Sequence, residues 1–187
     1  METSNILIVD DELSVIKALT RSFLDDPYKV YSAISATEGL SILAKVEIKV
    51  VISDEGMPGM SGADFLAKVK GGLPAVVRIM LTGHASLDAA IKAINRGEIY
   101  RFFTKPWDDF ELRFAVKSAV EKYDLEEENR RLLNIVKKQA LNMKLLEKEF
   151  PGITQLEYDE KGRIIIQDVP DAEMARIVAE FDLEYSA

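Results

Sequence analysis

Residues 50–62, VVISDEGMPGMSG, give the clearest indication of the fold, because they join a short apolar run to a loop that holds glycine and proline. The run has the length of a buried strand, and it leads directly into Asp54. Apolar runs of this kind alternate with amphipathic stretches along the first 120 residues. The predicted strands cover residues 6–10, 29–33, 50–53, 76–81 and 99–103, and the predicted helices cover residues 14–25, 37–45, 62–70 and 87–95. A further helix is expected after Pro106. This order predicts an α/β fold with a doubly wound, five-stranded parallel sheet and right-handed crossovers.

Six residues with side chains suited to a functional site stand at or just after the ends of these apolar runs. They are Asp10, Asp11, Asp54, Thr82, Phe102 and Lys105. The loops at the carboxyl ends of parallel strands converge on one edge of a sheet, so we expect these side chains to meet there. An acidic residue after a strand is often only a turn former or a helix cap. That reading could explain Asp10 or Asp54 singly, but not the joint placement of Thr82 and Lys105.

The charges of these side chains indicate the chemistry of the predicted site. Two carboxylates held about 4 Å apart repel by roughly 4 kcal/mol at an effective dielectric constant near 20, so three of them need compensation. Hard oxygen ligands of this kind suit Mg²⁺, which bridges carboxylates to phosphate oxygens. A lysine adds a compact positive charge, and a carboxylate facing a phosphoryl group can act as a nucleophile. The residues therefore predict Mg²⁺-dependent phosphoryl transfer onto an aspartate.

The same residues resemble the receiver domains of two-component response regulators, over about residues 4–120. The acidic pair, the D-x-x-M-P-x-M-x-G motif that begins at Asp54, the threonine and the Lys-Pro dipeptide follow in the family's order. The resemblance implies a flavodoxin-like receiver in which Asp54 is the phosphoacceptor. It also implies that Asp11 is a direct Mg²⁺ ligand, that Asp10 holds the ion mostly through water, and that the backbone carbonyl of Gly56 completes the protein ligands.

The resemblance assigns further roles around the phosphoacceptor. Thr82 would hydrogen-bond the phosphoryl group, and Lys105 would pair with it. Phe102 occupies the family's aromatic switch position, three residues before the lysine, although it can equally be read as a core aromatic. His84 could be a general base for loss of the phosphoryl group, because imidazole titrates near neutral pH. A solvated loop residue that shapes a partner surface is the simpler interpretation of His84.

The chain holds neither Gly nor Pro from residue 108 to residue 150, so one helix of about 60 Å could run through this segment. Its second half has apolar residues in alternating steps of four and three, which predicts the seam of a coiled coil. The seam residues are Leu125, Asn129, Leu132, Val136, Gln139, Met143, Leu146 and Phe150. Asn129 falls where a buried amide fixes register and pairing, which predicts a parallel homodimer. Continued backward, this register meets Lys122 and Ser118, so the seam is expected to begin near Leu125.

The residues after the helix predict a small appendage. Pro151 and Gly152 end the helix, and apolar runs at 153–158 and 163–167 flank a loop in the manner of a β-hairpin. An acidic helix is expected over residues 171–185. The predicted domains are a receiver at residues 1–120, a coiled-coil extension at residues 121–150 and a small α+β tail at residues 151–187.

Composition narrows the classes of function and partner. The 187 residues include no Cys, which excludes disulfides and thiolate metal sites within the chain. No signal-like stretch opens the chain, and no apolar run approaches the about 20 residues of a membrane span, so a cytoplasmic protein is expected. Residues 121–187 hold 16 acidic and 10 basic residues, a net charge of −6, which argues against DNA binding by this region.

Together these features predict a response regulator that takes its phosphoryl group from a histidine kinase or a phosphotransfer protein. It would signal through a dimeric coil to an unidentified downstream protein, without an output enzyme activity of its own. The segment KPWDDFEL at residues 105–112, with its long helix, resembles receivers that precede cyclic-dinucleotide phosphodiesterase domains, whose catalytic motifs are missing here. The alternatives are a phosphotransfer intermediate or phosphate sink, or the front of a longer effector protein.

Overall fold

The computed structural model of the protein describes residues 3–83, 99–150, 157–158 and 164–165. Five parallel strands form one sheet in the order β2-β1-β3-β4-β5. The strands are β1 (Ser4–Val9), β2 (Tyr28–Ala33), β3 (Val50–Asp54), β4 (Val77–Thr82) and β5 (Arg101–Thr104). The helices are α1 (Leu13–Ser22), α2 (Ala36–Leu43), α3 (Gly62–Gly72) and α4 (Asp109–Glu149). The predicted doubly wound parallel sheet is confirmed, and the helix predicted over residues 87–95 lies outside the described residues.

The sheet separates two hydrophobic layers, because successive side chains of a strand point to opposite faces. Ile6 and Ile8 pack in the layer that contains the buried residues of α1 and α4. Leu7 and Val9 pack in the layer that contains the buried residues of α2 and α3. All four of these β1 side chains are fully buried. This two-sided burial explains why the strands appear in the sequence as continuous apolar runs rather than as alternating patterns.

The helix α4 contains 41 residues, as the absence of Gly and Pro predicts. The backbone N–H of Glu111 donates to the side chain of Asp108 at 2.9 Å, which caps the first turn. The buried residues of α4 end at Tyr123, whose hydroxyl donates to Glu47 at 3.2 Å. Beside it, Lys49 pairs with Asp124 at 2.7 Å. From Leu125 onward the predicted seam residues are exposed in the single chain.

The chain divides into two compact units, Met1–Leu133 and Asn134–Ala187. In the second unit, β6 (Glu157–Tyr158) and β7 (Ile164–Ile165) pair antiparallel, within the segments predicted to form a hairpin. The helix predicted over residues 171–185 lies outside the described residues, and the predicted domain boundaries stay predictions. No helix in the described part of the chain is both long enough and apolar enough to cross a bilayer.

Candidate functional site

Strand register brings the predicted site residues to one edge of the sheet. Val9 lies beside Ser53 in the pairing of β1 with β3, so Asp10 and Asp54 are the next residues on neighbouring strands. Thr82 lies beside Thr104 in the pairing of β4 with β5, and Lys105 follows directly. These side chains therefore share the carboxyl edge of the sheet, as the sequence predicts.

The Lys105 ammonium joins the two buried carboxylates of this edge. Its Nζ lies 2.8 Å from Oδ2 of Asp10 and 2.6 Å from Oδ1 of Asp54. Asp10 is 1% exposed and Asp54 is 7% exposed, so both carboxylates are largely withdrawn from water. A buried carboxylate needs a partner of opposite charge, and here one lysine serves two carboxylates.

Backbone amides hold the remaining carboxylate oxygens. The N–H of Glu12 donates to Oδ1 of Asp10 at 2.9 Å, and the N–H of Gly56 donates to Oδ2 of Asp54 at 2.7 Å. Each carboxylate thus accepts one bond from a loop amide and one from Lys105. The sequence motif predicted the two aspartates but not the hydrogen bond from the Glu12 amide. The position of Glu12, two residues after Asp10, is the feature of the sequence that could have indicated this bond.

Burial and pairing change the ionisation of the site in opposing ways. Burial raises the pKa of Asp10 above its ordinary value, although hydrogen bonds from Lys105 and from the Glu12 amide lower it. Burial lowers the pKa of Lys105, but its hydrogen bonds to Asp10 and Asp54 outweigh burial, and the pKa is raised overall. One ammonium against two carboxylates leaves excess negative charge, which favours a further cation.

Close packing of the backbone fixes the loop that carries the phosphoacceptor candidate. A Cβ atom on Gly62 would lie 2.0 Å from the carbonyl oxygen of Asp54 and 2.8 Å from Cα of Glu55. The N–H of Gly62 donates to the Glu55 carbonyl at 3.0 Å, and the Glu55 carboxylate accepts from the N–H of Ala63 at 2.8 Å. The start of α3 therefore rests directly on the end of β3. The motif identifies Gly62, but only the structure supplies its reason.

Thr82 ends β4 and Phe102 lies in β5, the neighbouring strand, and their predicted switch role stays a prediction. Thr82 is fully buried, and its hydroxyl donates to the carbonyl of Gly83 at 3.0 Å. The Thr82 carbonyl accepts from the backbone N–H of Lys105 at 2.8 Å, while the Thr82 hydroxyl makes no hydrogen bond to the side chain of Asp54 or of Lys105 within the described residues. Phe102 is half-buried and packs against the layer that holds α2 and α3. His84 lies outside the described residues, so its predicted role stays a prediction.

The carboxylates at this edge of the sheet are the candidate ligands of Mg²⁺. In the described residues, no three acidic, histidine or cysteine side chains gather closely enough to hold an ion. Asp10 and Asp54 do converge on one cation, the Lys105 ammonium, while Asp11 is exposed beside them. Carboxylate oxygens around a positive charge are the ligand chemistry of Mg²⁺, which also keeps several waters. The residues present fit the ion, with two of the three predicted carboxylates brought together.

Comparison with known proteins agrees with this geometry. The chain is 34% identical over 129 residues to the hydrogenase transcriptional regulatory protein HoxA of Cupriavidus necator, covering 69% of this chain and 27% of HoxA. It is 30% identical over 175 residues to the C4-dicarboxylate transport transcriptional regulatory protein DctD of Rhizobium meliloti, covering 94% of this chain and 36% of DctD. The match thus spans about a third or less of each relative.

A solved structure shows the same fold. The signal receiver domain of an HD domain-containing protein from Pseudomonas fluorescens Pf-5 is 39% identical, with a TM-score of 0.65, covering 68% of this chain and 94% of that domain. The sequence profile of the response regulator receiver domain matches residues 6–117. Receiver domains of this family serve two-component phosphorelays and exchange phosphoryl groups with histidine kinases or phosphotransfer proteins. With its sheet order, its paired aspartates and its lysine in place, the chain belongs to the response regulator receiver domain family.

Proposed function

We propose that Asp54 is the phosphoacceptor of a cytoplasmic response regulator. One observation carries this proposal: Lys105 contacts both buried carboxylates, Asp10 at 2.8 Å and Asp54 at 2.6 Å, at the carboxyl edge of the sheet. A salt bridge inside a domain is weak evidence of stability, because desolvation offsets the attraction between the charges. A half-buried lysine and two buried carboxylates gathered at the ligand-binding edge of an α/β sheet suit catalysis better than a purely structural role.

The proposed step transfers a phosphoryl group from a phosphohistidine of the partner kinase. An oxygen of Asp54 attacks phosphorus, the P–N bond breaks, and the leaving imidazole regains its proton from solvent. The Gly56 amide holds Oδ2 of Asp54 at 2.7 Å, which orients the carboxylate before the donor arrives. Lys105 then pairs with the phosphoryl oxygens. Later attack by water on phosphorus releases inorganic phosphate and restores the carboxylate.

Mg²⁺ is the proposed cofactor, held by Asp10, Asp11, Asp54 and the backbone carbonyl of Gly56. When bound, it neutralises charge on the phosphoryl oxygens and so lowers their repulsion by the carboxylates. The protein's own contribution is to fix Asp10 directly after β1 and Asp54 at the end of the adjacent β3, and to keep both from bulk water. Asp11, being exposed, is free to turn toward an ion that reaches the edge from solvent.

Thr82 and Phe102 are the proposed switch. A phosphoryl group on Asp54 adds oxygens that can accept a hydrogen bond from Thr82, whose hydroxyl now donates to Gly83. Movement of the threonine toward the phosphoryl group would open space for Phe102, which is half-buried and can become more buried. The phosphorylated state would then differ at the surface formed by β5 and its neighbours.

The proposed output is protein contact rather than DNA binding. The two chains of a parallel homodimer would meet along the exposed seam residues that begin at Leu125, with Asn129 paired to its mate. The net charge of −6 over residues 121–187 disfavours a DNA backbone. The downstream partner would recognise the phosphorylated receiver.

A second candidate is that the chain works as a phosphotransfer intermediate or phosphate sink, in which the receiver is the whole function. A third makes it the front of a longer effector protein, as the curated relatives HoxA and DctD are longer than the matched regions. The similarity of the chain to the receiver of an HD domain-containing protein also favours the third candidate. The three candidates share the same chemistry at Asp54.

Labelling with acetyl phosphate tests that chemistry. The wild-type protein with Mg²⁺ should gain one hydroxylamine-labile phosphoryl group, while Asp54→Ala and samples with EDTA should gain none. Asp25→Ala is the matched control, because this aspartate is exposed and lies away from the sheet edge. It should label like the wild type. Full labelling of Asp54→Ala would reject Asp54 as the phosphoacceptor.

A further inference from the structure

Two phenylalanines stand exposed on the first turns of α4. Phe110 is 79% exposed and Phe114 is 59% exposed, and they are four residues apart, so they are neighbours on one side of the helix. The buried residues of the same stretch lie on the other side. They are Leu112, Ala115, Val116, Ala119, Val120 and Tyr123. At about 100° per residue, Phe110 and Phe114 point roughly 180° away from Leu112. They face away from the receiver's core.

The exposed pair continues into the predicted seam with a period of eleven residues. Phe114 is followed eleven residues later by Leu125, and Phe110 is followed by Glu121 and then by Leu132. Eleven residues make three turns at about 3.67 residues per turn, close to the natural period of an α-helix, so these residues share one face. A heptad register continued backward reaches Lys122 and Ser118 instead. The aromatic pair is therefore missed by a strict heptad reading.

We propose that a second copy of the chain packs along this face, so that the dimer contact begins at Phe110 and Phe114 inside the receiver unit. This inference rests on the dimer of the proposed function, and it places the start of the contact about four turns earlier. In a parallel two-fold arrangement each phenylalanine meets its own mate, as an isologous interface requires. Because the face points away from the core, the two receivers would lie on opposite sides of the paired helices.

The size and charge of the face suit such a partner. A phenylalanine buries about 150–250 Å² when fully covered, so two pairs supply several hundred Å². With Leu125 and Leu132 from each chain, the contact can pass the about 1,000 Å² expected of a specific interface. Glu121 interrupts the apolar stripe and would approach its own mate there, and exposed Lys117 one turn earlier offsets the repulsion of the two carboxylates.

Cysteine crosslinking tests the arrangement, because the native chain contains no Cys. Single variants Phe114→Cys, Leu132→Cys and Lys68→Cys of the full chain would be oxidised mildly and followed on non-reducing gels. Lys68 is the control, since it is exposed on α3, across the sheet. Phe114→Cys should form linked dimers about tenfold faster than Lys68→Cys, because pairing raises the effective concentration of the thiols.

The outcomes separate this inference from the proposed function. Fast linkage at both positions 114 and 132 supports the extended contact. Fast linkage at 132 alone overturns the extension and leaves the seam dimer standing. A thiol at 114 that stays single overturns the proposal, and blocked maleimide labelling of it would show that another segment covers this face.

A paired substitution gives an independent readout. Phe110→Ser combined with Phe114→Ser should fold, because both side chains are exposed. We expect its dimer dissociation constant to rise about tenfold or more in sedimentation equilibrium. Phosphorylation at Asp54 should be unchanged in the same variant. An unchanged dissociation constant would overturn the extended contact.

Discussion

Replacing Gly62 by alanine should damage both the stability of the receiver and the geometry of Asp54, the proposed phosphoacceptor. The added Cβ would lie 2.0 Å from the Asp54 carbonyl oxygen. Real Cβ atoms essentially never approach another heavy atom more closely than 3.0 Å. The backbone at the end of β3 must therefore move by about 1 Å, against the hydrogen bond from Glu55 N–H to the Leu81 carbonyl at 2.9 Å. Overpacking costs about 1–3 kcal/mol and a weakened hydrogen bond about 1 kcal/mol more.

We therefore expect Gly62→Ala to lower the free energy of unfolding by about 2–4 kcal/mol. In a protein of this size, each kcal/mol lowers the melting temperature by about 2–4 °C, which calorimetry or circular dichroism can measure. The rate of phosphorylation by acetyl phosphate should fall as well, by up to about a hundredfold, because a 1 Å misplacement of a reacting group can cost that much.

The end of the same helix supplies the matched control. A Cβ on Gly71 would meet nothing within 4 Å. Gly71→Ala should therefore raise stability by about 0.4–1 kcal/mol, since alanine restricts the unfolded chain more than glycine does. If Gly62→Ala were as stable as Gly71→Ala and labelled at the wild-type rate, the close approach of α3 to Asp54 would not be the reason for this glycine.

Three further substitutions test the proposed switch, the proposed dimer and the contact of Tyr123 in α4 with Glu47. Thr82→Ala should still accept a phosphoryl group but lose most of the phosphorylation-dependent change in amide exchange around β5; an unaltered response would argue against coupling through this hydroxyl. Asn129→Leu should raise the melting temperature yet broaden the range of oligomers in sedimentation, because a buried amide trades stability for specificity; a monomeric wild-type chain at micromolar concentration would contradict the seam. Burial and the nearby Glu47 carboxylate raise the pKa of Tyr123 to about 12. The neutral phenol is thus favoured in the folded state, so its stabilisation is present below pH 10 and is lost between about pH 10 and 12. Tyr123→Phe should flatten the fall in melting temperature over that window, and an identical fall would contradict the assignment.

Most of the sheet could be predicted from the sequence, because each strand is a short apolar run buried on both faces. The strand at Val50–Asp54 lies where residues 50–53 predict it, with one residue more at its carboxyl end. Helix boundaries were less accurate. The first helix ends at Ser22 rather than at residue 25, since Phe23 and the residues after it form turns that composition alone does not distinguish from helix.

The candidate site was predictable as a set of residues but not as a set of contacts. Asp10, Asp54 and Lys105 meet as expected, because parallel strands direct their carboxyl ends to one edge. Side-chain direction decides the contacts: the Lys105 ammonium joins both carboxylates, while Asp11 remains exposed beside them. The direction alternates along a chain leaving a strand, so adjacent aspartates take different surroundings.

The amino-acid sequence alone determined which carboxylates, hydroxyl and amine the chain carries, and that each stands at or just after the end of an apolar run with the length of a strand. It also determined that a long helix follows the receiver, because residues 108–150 contain no Gly or Pro and their apolar residues recur with the period of a helix. The contacts of the folded chain were needed to show that α3 must begin with glycine against Asp54, and that Phe110 and Phe114 face away from the core. These facts depend on contacts between residues distant in the chain and on which side of a helix the sheet covers. The local periodicity of a sequence carries no information about these contacts, because they form only when the strands pair and the helices pack on the sheet.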